Sequence, residues 1–126
     1  MVLNMKLLIV DDNANVRRLI RILLADVADA IYEGADGMEA LALYAAERPD
    51  FVLMDIQMAI MDGITATQRI RAADAAARII IVTDYNEPDL REAARQAGAC
   101  GYVVKDNLQE IVGLLQVLDT GGSCQF

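Results

Sequence analysis

The sequence contains no histidine and no tryptophan, and only two cysteines and two prolines among its 126 residues. Without an imidazole, neither a Ser-His-Asp nor a Cys-His nucleophilic site can form, and a zinc site with histidine ligands is excluded. The chain also lacks the side chain that ordinarily titrates near neutral pH. Cys100 and Cys124 lie far apart and form no C-x-x-C pattern. We therefore predict reduced thiols in a cytosolic protein, although the sequence leaves a disulfide between them open.

Positive charge is also scarce, because 11 basic residues face 19 acidic ones and the net charge is −8. A nucleic-acid surface needs clustered lysine and arginine to neutralise phosphates, so we expect this domain itself to bind no nucleic acid. The N-terminal apolar run, residues 7–10, ends at Asp11. No window approaches the roughly 20 apolar residues of a membrane span, and no signal peptide is recognisable. We therefore predict a cytoplasmic protein without membrane contact.

Five short apolar segments alternate with five segments of helical periodicity, which predicts a single α/β domain. Continuous apolar runs are typical of parallel strands that are buried on both faces, so we expect a five-stranded parallel sheet with helices on both sides. We place the domain at residues 5–119 and a flexible tail, or the start of a linker, at residues 120–126. The predicted strands cover residues 7–10, 30–33, 51–54, 79–82 and 102–104.

Turn and capping residues mark the predicted helices. Asn13 or Asn15 is a candidate N-cap of the first helix. A short third helix is predicted over residues 64–73. Pro88 suits the first turn of the fourth helix, and Gly98 suits the position just beyond its end.

Polar residues follow four of the five predicted strands. Because ligands of such a sheet bind beyond the carboxyl ends of the strands, these residues form a candidate site. Converging carboxylates repel each other unless a cation compensates, and oxygen ligands with a nearby lysine suit Mg²⁺. The same groups suit phosphoryl transfer to an aspartate, which forms an acyl phosphate. The residues are Asp11 and Asp12, Asp55, Thr83 and Asp84, and Lys105 and Asp106.

Each of these residues has a simpler interpretation when it is taken alone. Asp12 could cap a helix, and Asp55 could be an ordinary turn residue. Thr83 could reflect β-propensity, and Lys105 could be a solvated surface charge. Independent accidents would not place all four at one end of the sheet, so their common position favours a functional site.

Five fragments form an ordered set: LLIVDD at 7–12, MDIQM at 54–58, MDG at 61–63, IVT at 81–83 and GACGYVVK at 98–105. This set resembles the receiver domain of bacterial two-component response regulators, the CheY-like superfamily, over essentially residues 5–119. Among receivers, the sequence most resembles those of LuxR-type transcriptional regulators. The resemblance implies a flavodoxin-like (βα)5 fold and a phosphorylation-activated signalling switch rather than a turnover enzyme. It also implies a sensor histidine kinase as the phosphoryl donor.

The resemblance assigns a role to each residue of the site. Asp55 would be the phosphoacceptor. Asp12, Asp55 and the backbone carbonyl of Gln57 would hold Mg²⁺ or Mn²⁺ directly, and Asp11 would act largely through water. Lys105 would pair with the phosphoryl group.

The resemblance also implies a relay. Thr83 would move toward the phosphoryl group, and Tyr102 would turn inward into the space that Thr83 leaves. This movement would remodel the face made by the fourth helix, the fifth strand and the fifth helix. We expect any phosphorylation-driven homodimer to use that face.

The sequence departs from the family pattern at several positions. Ala59 stands where proline is usual, so the loop after the phosphoacceptor should be less rigid. Asp106 stands where many receivers have proline after the lysine, and a cis peptide at a non-proline costs about 3 kcal/mol, so we expect a trans bond. The Lys105-Asp106 pair resembles receivers that are joined to a LuxR-type helix-turn-helix domain. We therefore expect the receiver part of a DNA-binding regulator, with a stand-alone receiver acting by protein contact as the alternative.

Three further positions concern phosphorylation kinetics. Asp84 stands where the family usually has a small residue, and its carboxylate should crowd or repel the incoming phosphoryl donor. Gln57 and Tyr85 occupy positions that in the family tune the lifetime of the acyl phosphate.

Other functions fit the sequence less well. A haloacid-dehalogenase-like phosphatase would need a D-x-D-x-T loop after the first strand, whereas residues 11–15 read DDNAN. The chain also has little room for a substrate cap. A pseudo-receiver would usually have lost an acidic residue or the lysine, and neither is missing. A dinucleotide-binding domain would need a G-x-G-x-x-G turn, which is absent.

Overall fold

The computed structural model describes residues 5–124, and these form one parallel sheet with helices around it. This confirms the predicted α/β class and the alternation of five strands with five helices. A short 3-10 helix, Lys105–Asn107, precedes the last helix. The strands are β1 (Met5–Val10), β2 (Ala28–Gly34), β3 (Phe51–Met54), β4 (Ile79–Thr83) and β5 (Gly101–Val104). The helices are α1 (Ala14–Leu24), α2 (Gly37–Glu47), α3 (Gly63–Ala73), α4 (Pro88–Gln96) and α5 (Glu110–Asp119).

The sheet has the strand order β2-β1-β3-β4-β5, and every neighbouring pair is parallel. Side chains alternate along the central strands, so each face has its own apolar core. Val10, Met54 and Ile81 belong to one core, whereas Ile9 and Leu53 belong to the other. Because β3 and β4 are buried at every position, they appear in the sequence as continuous apolar runs.

The chain reverses its direction of winding between β1 and β3, and this position determines where the site lies. The Asp55 amide donates to the Val10 carbonyl at 2.9 Å, and the Asp11 amide donates to the Gly34 carbonyl at 3.1 Å. The carboxyl ends of β1 and β3 are therefore held side by side at the switch point of the sheet, where α/β proteins bind their ligands.

The predicted strand boundaries agree with the structure to within one residue except at β1, which begins at Met5 rather than at residue 7, and at β2. Asn13, one of the two candidate caps, begins α1, and its side chain accepts from two backbone amides. Pro88 begins α4, and Gly98 follows that helix with a φ of 98°. The strand predicted over residues 30–33 is longer, because β2 pairs with the whole of β1, from Met5 to Val10.

The chain beyond α5 turns back on itself. Gly121, with a φ of 90°, donates to the Leu118 carbonyl, and Gly122 donates to the Val117 carbonyl. This pair of hydrogen bonds is the Schellman arrangement that ends many helices. Residues 125 and 126 lie outside the described residues, so the flexible tail predicted over 120–126 stays a prediction.

Two further observations concern residues 5–124. No cis peptide bond occurs among them, which confirms the trans bond expected between Lys105 and Asp106. None of their helices is long and apolar enough to cross a membrane.

Candidate functional site: an acidic pocket at the carboxyl end of the sheet

Three carboxylates meet beyond β1 and β3. Asp11, Asp12 and Asp55 each offer an oxygen, and these oxygens lie within 4.8 Å of one another. Asp11 and Asp55 are buried, whereas Asp12 is exposed. The cap of α1 is Asn13, so Asp12 does not serve as that cap and its carboxylate remains part of the cluster.

Lys105 reaches this cluster from the end of β5. Its Nζ lies 2.8 Å from Asp11 Oδ2 and 3.4 Å from Asp55 Oδ2, and only 12% of its side chain is exposed. Burial lowers the pKa of Lys105, but the hydrogen bond to Asp11 and the charge of Asp55 outweigh burial, so the pKa lies above its usual value. The lysine is therefore a fixed positive charge beside Asp55.

The surroundings of the Asp55 carboxylate shift its pKa. Burial, together with the charge of Asp11, raises its pKa to about 6. Lys105 and the Ile56 amide, which donates to Asp55 Oδ1 at 2.9 Å, act in the opposite direction without cancelling the rise. One lysine thus fails to compensate the negative charge of the pocket, and a further cation would favour ionised Asp55.

The donor set fits a hard divalent cation. It consists of carboxylate oxygens, which Mg²⁺ prefers, and the exposed side at Asp12 gives room for the water ligands that Mg²⁺ retains. Asp11, Asp12 and Asp55 are therefore the side chains that could hold such an ion. Gln57 is exposed in the loop after β3, and the ligand role of its carbonyl stays a prediction.

The predicted switch residues lie beside β4 and β5. Thr83 ends β4 and is completely buried, and its hydroxyl accepts from the Tyr85 amide at 3.4 Å. The ring of Tyr102 is also buried, and its hydroxyl donates to the Tyr85 carbonyl at 2.6 Å. The Arg91 guanidinium lies 4.5 Å from the centre of this ring. Tyr102 is thus buried and held by its hydroxyl in this structure, and its coupling to phosphorylation stays a prediction.

The three residues expected to affect kinetics follow the carboxyl ends of β3 and β4. Tyr85 Oη donates to Gln57 Oε1 at 3.1 Å, so these two side chains are in direct contact. Asp84 is 71% exposed, yet its Oδ2 lies 4.0 Å from Lys105 Nζ. The Tyr85–Gln57 contact was not predicted, although both residues follow strands that are neighbours in the sheet.

Gly63 is a supporting residue whose role the sequence did not reveal. A Cβ at Gly63 would lie 1.8 Å from the backbone oxygen of Asp55, so no side chain fits there. The Gly63 amide donates to the Ile56 carbonyl at 2.8 Å, and Asp62 caps α3 by accepting from Ile64 and Thr65. The start of α3 therefore packs directly on the backbone of the predicted phosphoacceptor.

A parallel sheet with three aspartates and a lysine at its carboxyl end defines a class of signalling domain. The chain belongs to the response regulator receiver domain family, which it matches over residues 7–116. Receiver domains are components of two-component systems. Histidine kinases phosphorylate them, they bind Mg²⁺ at an acidic pocket, and they act on other proteins as signalling domains rather than as classical enzymes.

Three known proteins illustrate this relationship. The chemotaxis protein CheY of Halobacterium salinarum is 40% identical over 100 residues, which is 79% of this chain and 83% of that protein. A LuxR-family two-component response regulator from Aurantimonas sp. SI85-9A1 is 34% identical, with a TM-score of 0.90 over 98% of this chain and 89% of that one. CheY in the CheX-CheY-BeF3-Mg complex of Borrelia burgdorferi is 30% identical, with a TM-score of 0.81 over 90% of this chain and 87% of that one.

Proposed function

We propose that this chain is a phosphorylation-activated switch in which Asp55 accepts a phosphoryl group from a phosphohistidine of a sensor kinase. The observation that carries the proposal is the Asp55 carboxylate, buried between Asp11, Asp12 and Lys105. A carboxylate oxygen of Asp55 attacks phosphorus, the phosphorus–nitrogen bond of the donor breaks, and an acyl phosphate forms. The donor histidine keeps the electron pair of that bond and takes up a proton.

Divalent metal belongs to this proposal. Asp12, Asp55 and the backbone carbonyl of Gln57 would hold Mg²⁺ or Mn²⁺, with Asp11 acting largely through water. When bound, the ion would neutralise negative charge on the phosphoryl group during its transfer. Lys105 supplies a second positive charge from the protein, and it already lies 3.4 Å from Asp55. The chain itself would in this way assist its own phosphorylation and dephosphorylation.

The proposed output is a rearrangement around β4 and β5. A phosphoryl group adds about two negative charges at neutral pH. Lys105 would pair with it, and the Thr83 hydroxyl would hydrogen-bond one of its oxygens. The Tyr85 amide donates to the Thr83 hydroxyl, and the Tyr85 carbonyl accepts from the Tyr102 hydroxyl. Movement of Thr83 would therefore also change the position of the Tyr85 backbone, which holds Tyr102. The face formed by α4, β5 and α5 would then change and could support a homodimer.

We further propose that the chain is the receiver part of a cytoplasmic, DNA-binding transcriptional regulator. The likeness to the LuxR-family regulator and the Lys105-Asp106 pair support this assignment. A stand-alone receiver that acts by protein contact is the second candidate, and the similarity to CheY favours it. Both candidates use the same phosphorylation site.

The site is tested by incubating the protein with a small acyl phosphate and Mg²⁺ and separating it by phosphate-affinity electrophoresis. We expect a shifted band that disappears with a chelator and in Asp55→Asn. Asp26→Asn is the matched control, because Asp26 is an exposed aspartate outside the acidic pocket, and this variant should keep the shift. An undiminished shift in Asp55→Asn would contradict the assignment of the phosphoacceptor.

A further inference from the structure

The structure brings together two thiols that the phosphorylation mechanism does not use. Cys100 directly precedes β5, at the amino end of the sheet, and Cys124 lies 24 residues later, beyond α5. Their Sγ atoms are 2.8 Å apart, and both cysteines are free thiols. A disulfide needs about 2.05 Å between the sulfurs, so a small displacement would join them.

Two separate parts of the fold produce this proximity. The amide of Cys100 donates to the Ile79 carbonyl at 2.6 Å, which ties the residue to the first position of β4. Cys124 follows the turn that ends α5, where the positive φ of Gly121 and the bond from Gly122 to Val117 send the chain back toward the sheet. A Cβ at Gly122 would lie 2.7 Å from the Val117 backbone oxygen, so this turn depends on glycine.

The two thiols differ in accessibility. Cys124 is exposed, whereas Cys100 is half-buried. Burial raises the pKa of Cys100 to about 11, and the neighbouring Cys124 adds to this rise, while Arg71 and Arg78 lower it. Because the thiolate is the attacking form, exposed Cys124 is the better first nucleophile and Cys100 the resolving thiol.

We propose that Cys100 and Cys124 are a dithiol oxidation site, which forms a reversible intramolecular disulfide by exchange with a small aliphatic disulfide such as glutathione disulfide. The Cys124 thiolate attacks one sulfur of the small disulfide, the bond between its sulfurs breaks, and one small thiolate leaves. The Cys100 thiolate then attacks Cys124 Sγ in the mixed disulfide and displaces the second small thiolate. The protein loses two electrons and two protons, and the two released thiolates take them up as thiols.

The bond would fasten the end of α5 to the edge of the sheet. It would close a loop that contains β5 and α5, two elements of the face that we propose to respond to phosphorylation. The site is separate from the acidic pocket, because β5 has Cys100 before its first residue and Lys105 after its last. Oxidation would therefore restrain α5 and the chain beyond it without removing any group of the acidic pocket.

The test measures the equilibrium of the full chain with mixtures of reduced and oxidised glutathione, followed by thiol alkylation and intact-mass analysis. We expect a monomer that lacks about 2 Da and resists alkylation. Its formation constant should exceed that of the same chain unfolded in guanidinium by at least about tenfold, because the fold holds the thiols together. Oxidation should also raise the Tm by about 5 to 10 °C, reversibly with dithiothreitol.

Single variants separate the two roles. Cys100→Ser should accumulate a mixed disulfide at Cys124, whereas Cys124→Ser should react slowly, because only the half-buried thiol remains. Equal formation constants in the folded and unfolded chain would overturn the proposal, and so would disulfide-linked dimers as the main product. Reduced Cys124→Ser should be phosphorylated by the small acyl phosphate at the wild-type rate, so failure of the redox site is distinguishable from failure of the phosphorylation site.

Discussion

Asp84 places an additional negative charge at the entrance of the acidic pocket. Its carboxylate lies 4.0 Å from Lys105 Nζ, and its side chain is 71% exposed, so solvent screens but does not abolish its effect. Lys105 is shared with Asp11 and Asp55, which are closer. Asp84 therefore competes for the same positive charge that the proposed mechanism directs to the phosphoryl group.

Replacing Asp84 by asparagine should speed phosphorylation. An exposed ion pair contributes about 0.2 to 1 kcal/mol, which corresponds to a rate increase of roughly 1.4- to fivefold with an anionic acyl phosphate donor. The measurement is the initial phosphorylation rate of Asp84→Asn against wild type, with Asp26→Asn as the charge-matched control. The gain should shrink at high salt. An equal or slower rate in Asp84→Asn would refute the repulsion argument.

At the scale of elements, the loop between β3 and α3 contains a strained turn. Ile60 has a φ of 70°, and the Met61 amide donates to the Ala59 carbonyl across it at 2.7 Å, which is a γ-turn. A β-branched residue is rarely found at positive φ. Ile60 is 80% exposed, so its side chain gains little packing in return. Ala59 was predicted to leave this loop less rigid, and that rigidity stays a prediction.

Ile60→Gly should raise the free energy of unfolding by about 1 kcal/mol. The release of about 1 to 3 kcal/mol of backbone strain is partly offset by the greater freedom of glycine in the unfolded chain. Ile60→Ala is the control, because it removes the exposed side chain but keeps Cβ, and its unfolding free energy should stay within about 0.5 kcal/mol of wild type. Urea unfolding with an unchanged m-value checks both. A loss of stability in Ile60→Gly would show that the turn is not strained.

At the scale of the whole molecule, burial of Asp55 makes the fold sensitive to pH. In the folded protein the pKa of Asp55 is raised to about 6, whereas the ordinary pKa of an aspartate is 3.8. Between these values the folded state binds more protons than the unfolded state, so stability falls as pH rises. The contribution of protonated Asp55 to the free energy of unfolding is fully present below pH 3.8 and is lost above about pH 6.

Without divalent metal, the wild-type free energy of unfolding should fall by about 2 kcal/mol relative to Asp55→Asn between pH 4 and pH 6. Asparagine is the suitable reference because it keeps the shape of the side chain and cannot ionise. Urea unfolding of both proteins in a chelator at several pH values measures the difference, and the titrating groups outside the acidic pocket cancel. Parallel pH profiles for the two proteins would show that Asp55 has an ordinary pKa in the folded state.

The contacts between distant segments were the hardest part of the molecule to predict. Asp55 could be placed at the carboxyl end of a buried strand from the local pattern alone. The pairing of Tyr85 with Gln57 could not, because it depends on which strands are neighbours and on side-chain rotamers. The length of β2 was also underestimated. The residues at its two ends are extended because they pair with β1, and their own β-propensity does not predict a strand there.

The sequence by itself determined the α/β class and the placement of acidic residues and a lysine beyond the strands. Both depend on local periodicity and on the general rule for parallel sheets. Only the tertiary structure decided the pKa of Asp55, the burial of Tyr102 and the meeting of Cys100 with Cys124. These properties arise from packing between segments remote in the chain, which sets burial and distances in space that no local pattern encodes.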